Sequence, residues 1–251
     1  MSKLFAIGDI HGCYTELMLL FEKLPLDPNK DQVVFLGDYI DRGPNSDKVV
    51  EQLVRWKKAY PHWVFLYGNH EDIFYDFLIR NGALYGLGNW FANGGKVTYG
   101  NYGGHFGKKE WNKKLEKVVW EAPRPPEFPQ EHLDFLFKEL PFTYETDKYF
   151  FVHGGVIPEA SLEDSKHYWK TLLWARDGFI DSDWDWGKKI IFGHTPAYKK
   201  EWGEFGQPII MKNKIGLDGA CCPSACKNLI AVELPTEKFY LQENITCQKK
   251  K

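Results

Sequence analysis

Five short apolar runs that stop abruptly at polar, metal-ligating residues constrain this chain more than any other feature. Leu4-Phe5-Ala6-Ile7 runs into Gly8-Asp9-Ile10-His11-Gly12, and Val33-Val34-Phe35-Leu36 into Gly37-Asp38-Tyr39-Ile40-Asp41-Arg42-Gly43. Trp63–Tyr67 ends in Gly68-Asn69-His70-Glu71, Tyr149–Val152 in His153-Gly154-Gly155, and Ile190–Phe192 in Gly193-His194-Thr195. Short β-branched and aromatic runs bounded by Gly read as buried strands. Open α/β sheets place their ligands at the carboxyl ends of such strands. Together the five ends carry Asp9, Asp38, Asp41, Asn69, His11, His70, His153 and His194. A mixed Asp/Asn/His set suits a divalent cation of intermediate hardness such as manganese, iron or zinc. Arg42 adds a planar donor suited to an anion.

Between the first three runs the periodicity changes to that of helices. Leu17, Leu20, Phe21 and Leu24 predict an amphipathic helix over about 13–24. Ser46 is the expected N-cap of a second helix carrying Val49, Val50, Leu53 and Val54, and a third carries Ile73, Phe74, Phe77 and Leu78. This alternation implies a largely parallel sheet with right-handed crossovers. Residues 82–145 break the pattern and are read as a helical and loop insertion over the site, with a short helix from Gln130 to Leu140. Lys108, Lys109, Lys113, Lys114 and Lys117 are expected on a solvated helix face. Beyond residue 148 the chain turns strand-rich, with runs at 149–152, 189–192, 209–212, 229–234 and 239–242, the last two joined as a hairpin.

At 251 residues one large α/β domain spanning 1–251 is sufficient. A net charge of −2 argues against a general nucleic-acid or membrane-surface binder. The first strand begins at once, without an apolar leader, and the expected location is cytoplasmic. A monomer is compatible with the sequence, which leaves the oligomeric state open. Cys221, Cys222 and Cys226 with no clear fourth ligand point to reduced structural thiols rather than a zinc site. The terminal lysines 249–251 read as a disordered tail. The spacing around His70 lacks the second His of a zincin helix, and Cys13 lacks a Cys-x5-Arg phosphate loop.

As an ordered set, GDIHG, GDYIDRG, GNHE, HGG and GHT resemble the signature of the metal-dependent phosphoprotein phosphatases, within the calcineurin-like metallophosphoesterase superfamily. The compact bacterial and phage-type serine/threonine phosphatases are most similar, and Trp90–Gly95 and Leu172–Arg176 look like further segments of that group. The resemblance implies a four-layer α/β/β/α sandwich and two divalent metal ions, manganese first, with iron or zinc as alternatives. It implies that Asp9 and His11 hold one metal, that Asn69, His153 and His194 hold the other, and that Asp38 bridges them. It assigns His70 to protonating the leaving oxygen, with Asp41 as its partner. Arg42 and Arg176 would clamp the phosphoryl group beside Asn69.

The implied reaction is direct in-line hydrolysis of a phosphomonoester by a hydroxide bridging the two metals, whose joint charge lowers the pKa of a water from 15.7 towards ~7. The expected substrate is a phosphoprotein or small phosphoester. A symmetrical bis(5'-nucleosyl)-tetraphosphate hydrolase is the alternative, and an open groove flanked by Trp90, Trp111 and Trp120 would favour the peptide. One departure from the family is Leu217-Asp218-Gly219-Ala220-Cys221-Cys222, where many relatives carry Asp-Thr-Gly; Asp218 is expected to support a ligand histidine.

Overall fold

The computed structural model of the chain describes residues 2–112, 117–121 and 123–246. The first half reads β1 (Leu4–Ile7), α1 (Tyr14–Lys23), β2 (Gln32–Phe35), α2 (Ser46–Ala59), β3 (Val64–Phe65) and α3 (Asn69–Leu78). Next come α4 (Leu87–Trp90), a π-helical turn at Phe91–Gly95, α5 (Lys96–Asn101), β4 (Lys108–Asn112), β5 (Lys117–Glu121) and α6 (Gln130–Lys138). The second half supplies β6 (Thr143–Glu145), β7 (Tyr149–Val152), α7 (Leu162–Lys166), α8 (Trp169–Trp174), α9 (Asp177–Ile180) and β8 (Lys189–Phe192). It closes with β9 (Ile209–Ile210), β10 (Lys214–Gly216), β11 (Asn228–Leu234) and β12 (Lys238–Glu243). Among the described residues no helix is long and apolar enough to cross a membrane.

Two mixed five-stranded sheets form, ordered β12-β11-β1-β2-β3 and β6-β7-β8-β10-β9. The parallel triplet β1-β2-β3 agrees with the expected crossovers, while β11 and β12 add antiparallel strands at one edge. Side chains alternate across a strand, and this period sorts the core into three layers. Phe5, Ile7, Val33 and Phe35 face α1, α2, α3 and α6 through Leu17, Leu20, Val49, Leu53, Phe74 and Phe135. Their neighbours Ala6, Val34 and Leu36 meet Phe151, Ile191 and Ile215 between the sheets. Phe150, Val152, Ile190 and Phe192 pack outward on Leu162, Leu172, Phe179 and Ile180. The four-layer sandwich follows from these apolar faces, since each sheet buries both.

Several expectations change in detail. Ser46 is the first residue of α2, not its cap, and its hydroxyl accepts the Asp41 amide at 3.1 Å. Residues 82–145 contain the antiparallel β4–β5 ladder, so Lys108, Lys109 and Lys117 sit on strands rather than a helix. Lysine-rich composition signalled exposure there, and the run Val118-Val119-Trp120 supplied the β-propensity that was overlooked. Lys113, Lys114 and the terminal lysines lie outside the described residues. The 209–212 run is only two residues of strand, and β10 follows it. Cys13, Cys221 and Cys222 are free and buried, but Cys226 is disulfide-bonded, correcting the reading of three reduced thiols. Cys226 is exposed and takes positive φ at 55°, whereas Cys13, Cys221 and Cys222 are buried.

Candidate active site

Because β1, β2 and β3 run parallel in one sheet and β7 and β8 run parallel in the other, five carboxyl-end loops can converge at one end of the sandwich. His11, Asp38, Asp41, Arg42 and His194 all take positive φ, from 46° to 72°. Such backbone is costly for residues other than glycine and clusters where side chains must be aimed. Gly68 is needed for a different reason. A Cβ there would lie 2.3 Å from Asp38 Oδ1, so only glycine lets the β3 loop pass the carboxylate.

The buried polar groups form two adjoining sets around Asp38. In the first, His153 Nε2 lies 2.9 Å and His194 Nδ1 2.8 Å from Asn69 Oδ1, and Asp38 Oδ1 is 3.3 Å from His153 Nε2. His153 spends its Nδ1 proton on the Leu36 carbonyl at 2.8 Å. Burial holds this ring below the usual imidazole range, so it is neutral and its Nε2 presents a lone pair. A lone pair facing an amide oxygen and a carboxylate is an arrangement that a cation resolves. In the second set, His11 likewise gives Nδ1–H to the Ile40 carbonyl at 3.0 Å, leaving Nε2 3.5 Å from Asp38 Oδ2. Asp9 adjoins them, its oxygens accepting the His194 amide at 3.0 Å.

The electrostatics agree. Burial, then Asp218 and Asp38, push Asp9 well above the ordinary carboxylate range. Burial also works against charge on Asp38, whereas any positive charge on the surrounding His153, His70, His11 and His194 holds that carboxyl down. Burial and the Arg42 guanidinium push His11 well down. Carboxylates crowded in a dry pocket with neutral imidazoles are a donor set that divalent cations complete, and these residues fit such ions.

His70 is positioned differently. Its Nδ1 bonds Asp41 Oδ2 at 2.7 Å, and its buried Nε2 has no hydrogen-bond partner among the described residues and lies 3.9 Å from Asp38 Oδ2. Ligand atoms of His70 also fall within reach of a cation shared with His11 and Asp38. Arg42 Nη1 meets His11 Nε2 at 2.6 Å, and Arg176 Nη1 reaches the His194 carbonyl and Thr195 Oγ1 at 3.4 and 3.3 Å. Two exposed guanidinium groups therefore border the cluster. Asn93 bonds Asn89 within its own turn, and Asp218 accepts the Ala220 amide rather than a histidine N–H.

Three contributors were not foreseen. Glu71 is fully buried and accepts the amides of Asp38, Tyr39 and Gly68 at 2.9, 2.9 and 3.1 Å, tying the β2 and β3 loops together. Trp90 and Thr98 reach Asp41 from the insertion. Trp90 belonged to a recognisable segment; nothing local marked Thr98.

Strand-end loops from two sheets, a buried Asp/Asn/His cluster and bordering arginines define a metal-dependent hydrolase of phosphate esters. The chain belongs to the calcineurin-like phosphoesterase family, whose model matches residues 2–222. It is 27% identical to an asymmetrical bis(5'-nucleosyl)-tetraphosphatase of Anoxybacillus flavithermus, over 86% of this chain and 84% of that one. It is 28% identical to serine/threonine-protein phosphatase 1 of Salmonella typhimurium, over 78% and 80%. The fold matches the crystal structure of a proposed diadenosine tetraphosphatase with a TM-score of 0.63 at 17% identity, covering 97% and 94% of the two chains.

Proposed function

We propose that the chain is a phosphomonoester hydrolase acting on phosphoserine and phosphothreonine in proteins, with Asp9, His11 and Asp38 holding one divalent ion and Asp38, Asn69, His153 and His194 the other. When bound, the ions supply Lewis-acid charge and lower the pKa of a water at the site. The protein's residues do the rest. Arg42 and Arg176 bind and orient the phosphoryl oxygens, whose charge persists through the transition state. His70, held by Asp41 through Nδ1, delivers a proton from Nε2 to the departing oxygen. The observation that carries this reading is the His70–Asp41 pair at 2.7 Å, with the other His70 nitrogen unpartnered among the described residues beside Asp38.

The substrate class rests on the cleft beside Arg42. It is an open groove of about 530 Å³ lined by Ala92, Asn93, Val97, Pro223 and Ser224. Small and aliphatic walls suit an extended peptide better than a stacked base. The expectation that Trp111 and Trp120 flank this groove falls on side chains outside those described, and Trp90 is buried in the core rather than on a rim. Hydrolysis of dinucleoside tetraphosphates is the second reading, favoured by the bis(5'-nucleosyl)-tetraphosphatase relative.

The test is a comparison of kcat/KM on manganese-loaded protein for a phosphoserine/phosphothreonine peptide and for diadenosine tetraphosphate. Preference for the peptide supports the proposal. Preference for the dinucleotide overturns the substrate class but keeps the site, and equal activity in excess chelator overturns both.

A further inference from the structure

The carboxylate of Asp41 is where the insertion meets the reaction centre. Asp41 is fully buried at φ 72°, and donors approach both its oxygens. His70 Nδ1 takes Oδ2 at 2.7 Å, Thr98 Oγ1 takes Oδ1 at 2.7 Å, and Trp90 Nε1 spans the two at 3.0 and 3.2 Å. Proton inventory fixes the directions. An indole N–H only donates, and a threonine hydroxyl has one proton to give. Thr98 also receives the Asp41 amide at 2.9 Å, so its proton goes to the carboxylate and Ser46 Oγ, 3.0 Å away, donates to it. The carboxylate is therefore fixed from two sides, and the edge it turns to His70 sets the direction of the imidazole.

The two donors are seated as firmly as the acid they hold. Trp90 is fully buried and stacks on Phe74 at 4.7 Å. A Cβ on Gly95 would come within 2.5 Å of its indole, so glycine at that position is what lets the ring reach Asp41. Thr98 is fully buried in α5, and Asn101 one turn later caps the Ser46 amide at 2.9 Å. Arg42, next to Asp41, gives its amide to the Gly94 carbonyl of the same segment at 3.4 Å.

The geometry points to Trp90 and Thr98 as positioning residues for the proton-donating His70, acting through Asp41, so that residues 90–98 belong to the catalytic apparatus and do not merely cover it. This rests on the reading of His70 as the acid. A positioning role has a chemical signature that a structural one lacks. Protonation matters when the leaving group is a poor one and matters little when it departs readily as an anion. Phenol, with a pKa near that of tyrosine at about 10, needs the proton far more than the much more acidic p-nitrophenol.

The experiment compares phenyl phosphate with p-nitrophenyl phosphate on manganese-loaded, full-length Thr98→Val, Thr98→Ser, Trp90→Phe and His70→Gln proteins, with metal content measured for each. Thr98→Val and Trp90→Phe should lower kcat on phenyl phosphate roughly tenfold, and on p-nitrophenyl phosphate by less than about threefold, with KM little changed. Thr98→Ser, which keeps the hydroxyl, should restore the phenyl phosphate rate. Thr98→Val added to His70→Gln should cost nothing further, because it acts through a group already removed. Equal losses on both substrates, or full additivity with His70→Gln, overturn the positioning role. If His70→Gln itself shows no leaving-group split, the acid assignment falls. If His70→Gln shows the split and Thr98→Val loses nothing, only the positioning role falls.

Discussion

His70 and Glu71 are adjacent in sequence and do different work. His70→Asn should lower kcat by about 10²- to 10⁴-fold, the usual range for a lost general acid. Its manganese content, measured by calorimetric titration, should stay close to that of the parent protein. Parallel losses in both would make His70 a ligand shared with His11 and Asp38. Glu71 is fully buried, its two oxygens satisfy three amides, and burial pushes it up to about 8 despite them. Glu71→Ala would strand those amides at about 1–3 kcal/mol each. Urea unfolding should therefore lose several kcal/mol, on the order of three such penalties. A loss under ~1 kcal/mol would mean that water replaces the carboxylate at little cost.

At the scale of elements, the turn from Phe91 to Gly95 and the strand β10 each carry one residue whose replacement is informative. Gly95→Ala places a methyl against the Trp90 ring, and the neighbour is a rigid indole in the core. Overpacking of this kind costs typically 1–3 kcal/mol, so the thermal midpoint and the phenyl phosphate rate should fall together. An unchanged midpoint would show that Trp90 can retreat. Lys214 in β10 is fully buried, donates to the Ile180 carbonyl at 3.0 Å, and also bonds Ser182. Burial lowers its pKa to about 8. The unfolded chain, with a lysine near 10.4, then binds more protons between about pH 8 and 10, so this residue makes stability rise with pH across that window. Lys214→Met should flatten that rise relative to the parent in denaturant titrations at pH 8 and 10. Identical slopes in the two proteins would rule out Lys214 as its source.

At the scale of the whole molecule, cations held between loops of two sheets would tie the halves of the sandwich together. A ligand bound only by the folded state, at 100 times its Kd, adds about 2.7 kcal/mol of stability. Chelation should therefore lower the thermal midpoint, and manganese should restore it in a concentration-dependent way. A midpoint indifferent to both would argue against the proposed ions. The ordering of β-α-β-α-β-α units and the Asp-, Asn- and His-bearing strand ends were legible in the sequence because both are local. Apolar periods of 2.0 and 3.6 residues mark the elements, and Gly-Asp, Gly-Asn and Gly-His mark where they stop. Asp38 lies more than a hundred positions before His153 and His194, and the three were expected to meet only because their motifs occur as one ordered set. The ladder of 108–112 with 117–121 was missed because the many lysines in that stretch of sequence hide its period-2 alternation. Trp90, Thr98 and Ser46 were beyond reach for a different reason. Whether an indole or a hydroxyl meets a carboxylate 49 or 57 positions away depends on how α4, α5 and α2 pack. By itself the sequence determined which side chains could do chemistry and at which strand ends they stand; only the tertiary structure decided which neighbours aim them, since a hydrogen bond across distant elements leaves no periodic trace in the chain.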